Sequence, residues 1–434
     1  MDIAVIGLGK LGAPLAAVLA SKGHRVIGVD LTPAAVAALN AGVAPVSEPG
    51  LQDRIGMAEG RLRATTDFAE AIGASEISFV IVPTPSGHDG RFSNRFVIDA
   101  MRRIGAVLRQ TNHYHVVNIT STVMPGSTGG EIRAALEEAS GRVVGVDVGL
   151  TYNPEFIALG SVVRDLLRPD MLLIGESDAR AGDLLEAVYR GTVESDPPVQ
   201  RMAWVNAELT KIAVNTYVTT KISYANMIAE ICEKLPGADV DVVTAALGKD
   251  SRIGAKYLKG ALGYGGPCFP RDNVALGVLA RGLGVQADIA EATDAVNRRQ
   301  VDRVVALVRG LANGGAVAVL GMAYKPDTPV VEQSQGVMIA RALAECGHSV
   351  LIADPAALQS AALVLGDAVD AVSSAEAAIA HADVVVICTP DLDFAGLGAA
   401  AFTQGGRRRV VLDCWRVLSP AVAEVADVMY LGRG

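Results

Sequence analysis

A chain of 434 residues with a formal net charge of -9 has room for roughly two to four domains at about 150 residues each, and it carries no basic stripe of the kind that nucleic acid requires. Hydrophobic residues make up 50% and charged residues 20% of it, the balance of a globular protein with large buried cores. No apolar run of about 18 residues is free of charge, Gly and Pro, so no membrane span is expected, and five scattered cysteines fit a reducing, cytoplasmic setting better than a disulfide framework.

The chain opens on a strand over residues 3–6 with no basic leader segment before it. Gly7-Leu8-Gly9-Lys10-Leu11-Gly12 follows, then a helix to Lys22, then a strand over residues 25–30 that ends in Asp30. Further strands over residues 77–82 and 114–119 run into Pro83-Thr84-Pro85 and Thr120-Ser121-Thr122. Continuous apolar strands alternating with helical stretches mean βαβ units and a doubly wound parallel sheet. From 204 to 235 the pattern is helical without Gly or Pro, about 48 Å at about 1.5 Å per residue. A helix that long bridges domains or builds an oligomer interface.

The opening pattern then returns. A strand over residues 316–321 precedes a helix that includes residues 340–345. Gly347-His348 to Asp354 repeats Gly23-His24 to Asp30, and Cys388-Thr389-Pro390 echoes Pro83-Thr84-Pro85. The expected fold class is α/β, with two Rossmann-like doubly wound parallel-sheet domains joined by a long central helix and a helical region.

Gly7-x-Gly9-x-x-Gly12 after a strand and before a helix, with an acid closing the next strand, fits a dinucleotide fingerprint. Its glycines admit a pyrophosphate to backbone N–H groups at a helix N-terminus. Asp30 would bond the adenosine ribose and repel a 2′-phosphate, so the expected cofactor is NAD; a helix-packing turn without a ligand is the alternative. Gly321-Met322-Ala323-Tyr324-Lys325 lacks the triple glycine, so the second lobe should hold a different phosphate-bearing ligand.

Three segments carry candidate chemistry. In Gly263-Tyr264-Gly265-Gly266-Pro267-Cys268-Phe269-Pro270-Arg271-Asp272-Asn273 the cysteine precedes a helix and neighbours Arg271, both of which favour a thiolate. The glycines leave a substrate room to reach the sulfur. An inert buried cysteine is the alternative. Lys211 and Asn215 are four apart on the long helix and share a face, where they could stabilise an oxyanion or lie on a solvated surface. Asn153-Pro154-Glu155 could supply a carboxylate that activates water, or a turn alone.

Taken in order, these segments resemble the UDP-glucose/GDP-mannose 6-dehydrogenase family across nearly the whole chain. Glu48-Pro49-Gly50-Leu51, Ser121-Thr122-Val123, Asn153-Pro154-Glu155-Phe156, Lys211-x-x-x-Asn215, Arg252-Ile253-Gly254, Gly265-Gly266-x-Cys268-Phe269-x-x-Asp272 and Gly321-x-Ala323-Tyr324-Lys325 carry the likeness. It implies a four-electron oxidation of a nucleotide sugar at C6, with two NAD per sugar and UDP-glucose as the default substrate; GDP-mannose, UDP-galactose and UDP-amino sugars stay open. Lys211 and Asp272 would assist deprotonation of the C6 hydroxyl. Cys268 would trap the aldehyde as a thiohemiacetal, later a thioester. Asn215 with Lys211 would steady the oxyanions, and Glu155 with Thr122 would bring in water. The likeness also implies cofactor contacts at Gly7, Gly9, Leu11, Gly12, Asp30, Pro83, Thr84, Thr122 and Glu155. Substrate contacts would come from Glu155, Lys211, Asn215, Arg252, Tyr257, Leu258, Lys259, Gly265 and Lys325, with Arg252 reaching in from the partner of a homodimer. No metal is implied. The expected domains are an NAD-binding lobe over 1–200, a helical dimerisation region over 201–300 and a nucleotide-sugar-binding lobe over 301–434.

Three positions depart from the family. Leu159 stands where a second acid is usual, and Glu332 where an arginine is usual. Asp413-Cys414-Trp415-Arg416 replaces an Asp-Gly-Arg pattern, with Arg416 a candidate for the displaced arginine. A two-electron dehydrogenase of the β-hydroxyacid type and a catalytically inert NAD-binding protein are the competing readings.

Overall fold

The computed structural model describes residues 1–404 and 406–434, which divide into two compact units, Met1–Ala213 and Val214–Gly434. In the first, eight strands form one sheet: β1 (Asp2–Ile6), β2 (Arg25–Val29), β3 (Leu62–Thr65), β4 (Ile77–Val80), β5 (Val116–Ile119), β6 (Gly149–Tyr152), β7 (Leu172–Glu176) and β8 (Val199–Met202). Their spatial order is β3-β2-β1-β4-β5-β6-β7-β8, and β6 pairs antiparallel with β7 while the other neighbours run parallel. Strands β4 and β5 are wholly buried because helices cover both faces, which is why they read as unbroken apolar runs. The helix Gly12–Ser21 packs on one face with Leu15, Val18 and Leu19. The helix Arg95–Leu108 packs on the other with Val97, Met101 and Ile104. Strand order reverses direction between β1 and β4, and such a switch point opens a crevice at the strands' carboxyl ends.

The second unit holds β9 (Val317–Leu320), β10 (Val350–Ala353), β11 (Asp370–Ala371), β12 (Val384–Ile387), β13 (Val410–Asp413) and β14 (Asp427–Tyr430). They pair in parallel in the order β11-β10-β9-β12-β13-β14. The first five repeat the order of β1 to β5, so the sequence echo between the two ends reflects a shared topology. Helices Val240–Lys249, Phe269–Gly282 and Asp288–Ala312 precede this sheet.

The long helix spans Trp204–Cys232 and stops three residues before the expected end at Leu235. The N–H groups of Lys234 and Leu235 donate three residues back, to Ile231 and Cys232, each at 3.0 Å. This tightened turn precedes Pro236, whose ring disfavours α conformation at the residue before it. Among the described residues no helix is long and apolar enough to cross a membrane.

Candidate active site

The glycine turn of the first unit is built for close approach. Gly7 sits at φ +97°, and a Cβ there would overlap the carbonyl oxygen of Ile81. A Cβ at Gly12 would overlap the carbonyl oxygen of Gly7, whereas one at Gly9 would meet nothing within 4 Å. Gly7 and Gly12 therefore serve packing, and Gly9 leaves the outer face of the turn open. Leu11 is the N-cap of the following helix. The Asp30 carboxylate accepts from Leu8 N at 2.7 Å and Thr32 N at 2.8 Å, which leaves a lone pair on each oxygen for a ribose. A cavity of about 210 Å³ lies beside it, lined by Gly7, Asp30, Phe68, Val82, Pro83 and Phe96 among others. An apolar slot that ends on a carboxylate and an open glycine turn fits the adenosine end of NAD. Thr84 Oγ1 donates to Thr122 O at 2.7 Å, which ties the two loops that leave β4 and β5.

Glu155 follows β6. Burial pushes its carboxyl above the usual carboxylate range, against the pull of Tyr189 and of the Lys211 charge. Tyr189 Oη donates to Glu155 Oε1 at 2.8 Å. Lys211, itself buried, donates to the backbone carbonyl of Glu155 at 2.6 Å and lies over the Phe156 ring at 4.7 Å. Its face of the long helix is therefore not a solvated one. Beyond Glu155 the loop is ordered by Glu48, whose carboxylate accepts from Gly160 N at 2.9 Å and Val162 N at 2.8 Å. Leu159, where the family resemblance implies an acid, packs partly buried against the first core.

In the second unit Cys268 is exposed and is the N-cap of the helix Phe269–Gly282. Asp272 N donates to Cys268 O at 2.9 Å as the first turn closes. The Asp272 side chain is 1% exposed and accepts from Asn215 Nδ2 at 2.6 Å, so the long helix brings its amide to the helix start that carries the thiol and the carboxylate. Cys388 and Cys414, by contrast, are sealed in the core, where burial raises both thiols.

The glycines before Cys268 also serve packing. A Cβ at Gly265 would overlap the Gln333 carbonyl oxygen, and one at Gly266 would run into the Tyr324 ring. Gly266 N also donates to Glu332 O at 3.0 Å. They let the segment from Tyr324 to Gln333 close against the cysteine loop, and that segment carries the half-buried Lys325. The Glu332 side chain is exposed.

Two supporting residues, Asn297 and Asp294, escaped the sequence reading. Asn297 clamps the backbone of Tyr264, accepting from its N–H at 2.8 Å and donating to its carbonyl at 3.0 Å. Asp294, one helical turn away, accepts from Tyr264 Oη. Arg416 is buried at 2% side-chain exposure, and it bonds Asp241 at 2.6 Å and the Gly260 carbonyl at 2.8 Å. Burial works to raise Asp241, but Arg416, Lys259 and Arg433 together hold it below its ordinary value. Lys259 approaches Asp241 at 3.8 Å. Tyr257, at φ +65°, stacks edge-on to Phe269 at 6.3 Å, and Leu258 is buried. Arg252 is not gathered in: it is exposed and folds back on Asp250 at 2.6 Å. Polar residues on the buried face of an amphipathic helix, as at Asn297, were the one signal that could have exposed this layer.

Residues 1–193 match the NAD binding domain of the UDP-glucose/GDP-mannose dehydrogenase family, residues 205–299 its central domain and residues 318–420 its UDP binding domain. The chain is 37% identical over 424 residues to a UDP-glucose 6-dehydrogenase of Haloferax volcanii, covering 96% of this chain and 97% of the relative. It is 36% identical over 358 residues to a GDP-mannose 6-dehydrogenase of Pseudomonas putida, covering 82% and 81%. A solved UDP-glucose dehydrogenase from the hyperthermophilic archaeon Pyrobaculum islandicum superposes with a TM-score of 0.90 at 36% identity, over 100% of this chain and 96% of that one.

Proposed function

This chain belongs to the UDP-glucose/GDP-mannose dehydrogenase family, and from that premise we propose that it oxidises C6 of UDP-glucose to the carboxylate. NAD supplies the hydride acceptor in both oxidations. Overall, one CH2OH, two NAD+ and one water become one carboxylate, two NADH and three protons.

The observation that carries the reading is the exposed Cys268 thiol at a helix N-terminus, one turn from the buried Asp272–Asn215 pair. In this reading Lys211 and Asp272 take part in removing the C6 hydroxyl proton, and Sγ adds to the aldehyde carbon. Tethering retains a reactive intermediate between the two oxidations. The thiohemiacetal loses its second hydride to give a thioester, with Lys211 and Asn215 against the oxyanion. Water, brought by Glu155 and Thr122, releases the uronate. Gly7, Gly9, Leu11, Gly12, Asp30, Pro83 and Thr84 would hold NAD. Arg252, Tyr257, Leu258, Lys259, Gly265 and Lys325 would hold the nucleotide sugar. The near full-length likeness to a UDP-glucose enzyme favours that sugar nucleotide.

We keep the division into 1–200, 201–300 and 301–434 as the functional one. A homodimer is supported by Tyr217, Tyr224 and Ile231, exposed at 64%, 47% and 48% and seven residues apart on the long helix, the spacing of a helix–helix seam. The exposed Arg252 suits a residue offered to a partner. Exposed thiols at Cys268 and Cys346 fit a reducing cytoplasm.

Counting NADH per nucleotide sugar consumed tests the reading, with UDP-glucose beside GDP-mannose, UDP-galactose and a UDP-amino sugar. Two per UDP-glucose is expected. One would mean a simple two-electron dehydrogenase, none a binding protein, and release with another sugar alone would move the substrate.

A further inference from the structure

Glu155 presents a problem that its own loop does not solve. Its side chain is half-buried, and desolvation favours the neutral acid, a form that cannot accept a proton from water. We propose that Tyr189 is the positioning residue whose hydroxyl holds Glu155 in place to act as the base that releases product from Cys268, a proposal that rests on the reading above.

The geometry around the phenol is tight. Tyr189 lies on the helix Ala179–Arg190, is 2% exposed, and its ring meets Phe79 of β4 edge-on at 6.2 Å between centroids. Its hydroxyl reaches Glu155 Oε1 at 2.8 Å and also contacts Asn153 Oδ1. Asn153 is itself anchored, with Nδ2 donating to Leu173 O on β7 at 2.9 Å. The phenol therefore has one place to be. Its single proton lies between two acceptors, Asn153 Oδ1 and Glu155 Oε1, and an ionised carboxylate is the stronger of them and draws it to Oε1. Among the described residues no other side chain donates a hydrogen bond to that carboxylate. Lys211, the other charged group facing it, places its ammonium on the Glu155 backbone carbonyl at 2.6 Å and acts on the carboxylate through charge alone.

The two influences on Glu155 are thus a phenol bond and one cation, set against burial. Tyr189 cannot exchange roles with it, because burial and the neighbouring Glu155 push the phenol well above its ordinary range. It stays a neutral donor. In the step it supports, a water oxygen attacks the acyl carbon of the thioester while its proton goes to Glu155. The C–S bond then breaks, Sγ leaves as thiolate, the product departs as carboxylate, and Glu155 returns its proton to solvent.

The test is Tyr189→Phe in the full-length enzyme, supplied with UDP-glucose and NAD. The Phe ring keeps the contact with Phe79, so the fold is retained. Acyl-enzyme on Cys268 is followed by intact mass, and NADH by absorbance, across pH. The first NADH should form at the wild-type rate. The acid limb of thioester hydrolysis should move up by about one pH unit, about tenfold slower on that limb, as expected for loss of one hydrogen bond to a charged group, and should recover toward wild type at high pH. An unmoved limb, or an equal loss at every pH, would overturn the role of Tyr189. Glu155→Gln is run beside it and should hold the acyl-enzyme at all pH values. Normal hydrolysis by that variant would instead remove Glu155 from the reaction, an outcome separate from the fate of Tyr189.

Discussion

The two glycine turns of this protein are the same structure put to different use. Gly7 and Gly321 have nearly equal φ, +97° and +98°. Each donates its N–H to the end of the neighbouring strand, to Val29 O at 2.7 Å and Ala353 O at 3.0 Å. In both, a glycine at the start of the following helix crosses over the turn: a Cβ at Gly12 would overlap the Gly7 carbonyl oxygen, and one at Gly336 that of Gly321. Asp30 and Asp354 each bind the backbone N–H groups of their turn, Leu8 at 2.7 Å and Met322 at 2.6 Å. What differs lies between the glycines. The first lobe has residues 8–11, with the open Gly9. The second has residues 322–335, which carry Tyr324, Lys325 and Glu332 to the cysteine loop. One lobe keeps a bare turn that a pyrophosphate can approach, and the other spends the same position on a loop of side chains.

The comparison can be broken most severely at the crossing glycines. Gly12→Ala and Gly336→Ala should each cost about 3 kcal/mol through overpacking against backbone, read as a lowered thermal midpoint; an unchanged midpoint in either would mean that the crossing is not needed. The carboxylates sharpen it next. Asp30→Ala should weaken NAD binding roughly tenfold to a hundredfold, as for a lost hydrogen bond to a charged group, whereas Asp354→Ala should leave NAD affinity at the wild-type value. Equal losses measured by calorimetry would mean that the lobes are not specialised. The smallest effect belongs to Glu332, whose side chain is exposed and stands where the family resemblance implies an arginine. Glu332→Arg should change NAD affinity by about twofold to fivefold, the scale of an exposed charge contact, and no change would make the departure neutral.

Much of this was legible in the sequence because it depends on local patterns. Apolar runs with covering helices gave both sheets, and Gly7, Gly9 and Gly12 with Asp30 gave the cofactor turn. The helix start at Cys268 followed from Pro270 and the apolar stretch behind it. Gly336 was missed because the fingerprint is a spacing, and the second lobe stretches that spacing while preserving its physics. The packing role of Gly265 and Gly266 was not legible because their neighbours Tyr324 and Gln333 lie far along the chain. Tyr189 and Asn297 were silent for the same reason. A buried tyrosine at helical spacing looks like core, and only the fold reveals that its hydroxyl ends on Glu155.

The central claim is that the Cys268 sulfur carries the intermediate, and the most direct measurement is uronate formation by Cys268→Ala with UDP-glucose and saturating NAD. The account predicts no carboxylate product from a variant that still folds and binds NAD with wild-type affinity. Uronate produced at the wild-type rate would contradict it.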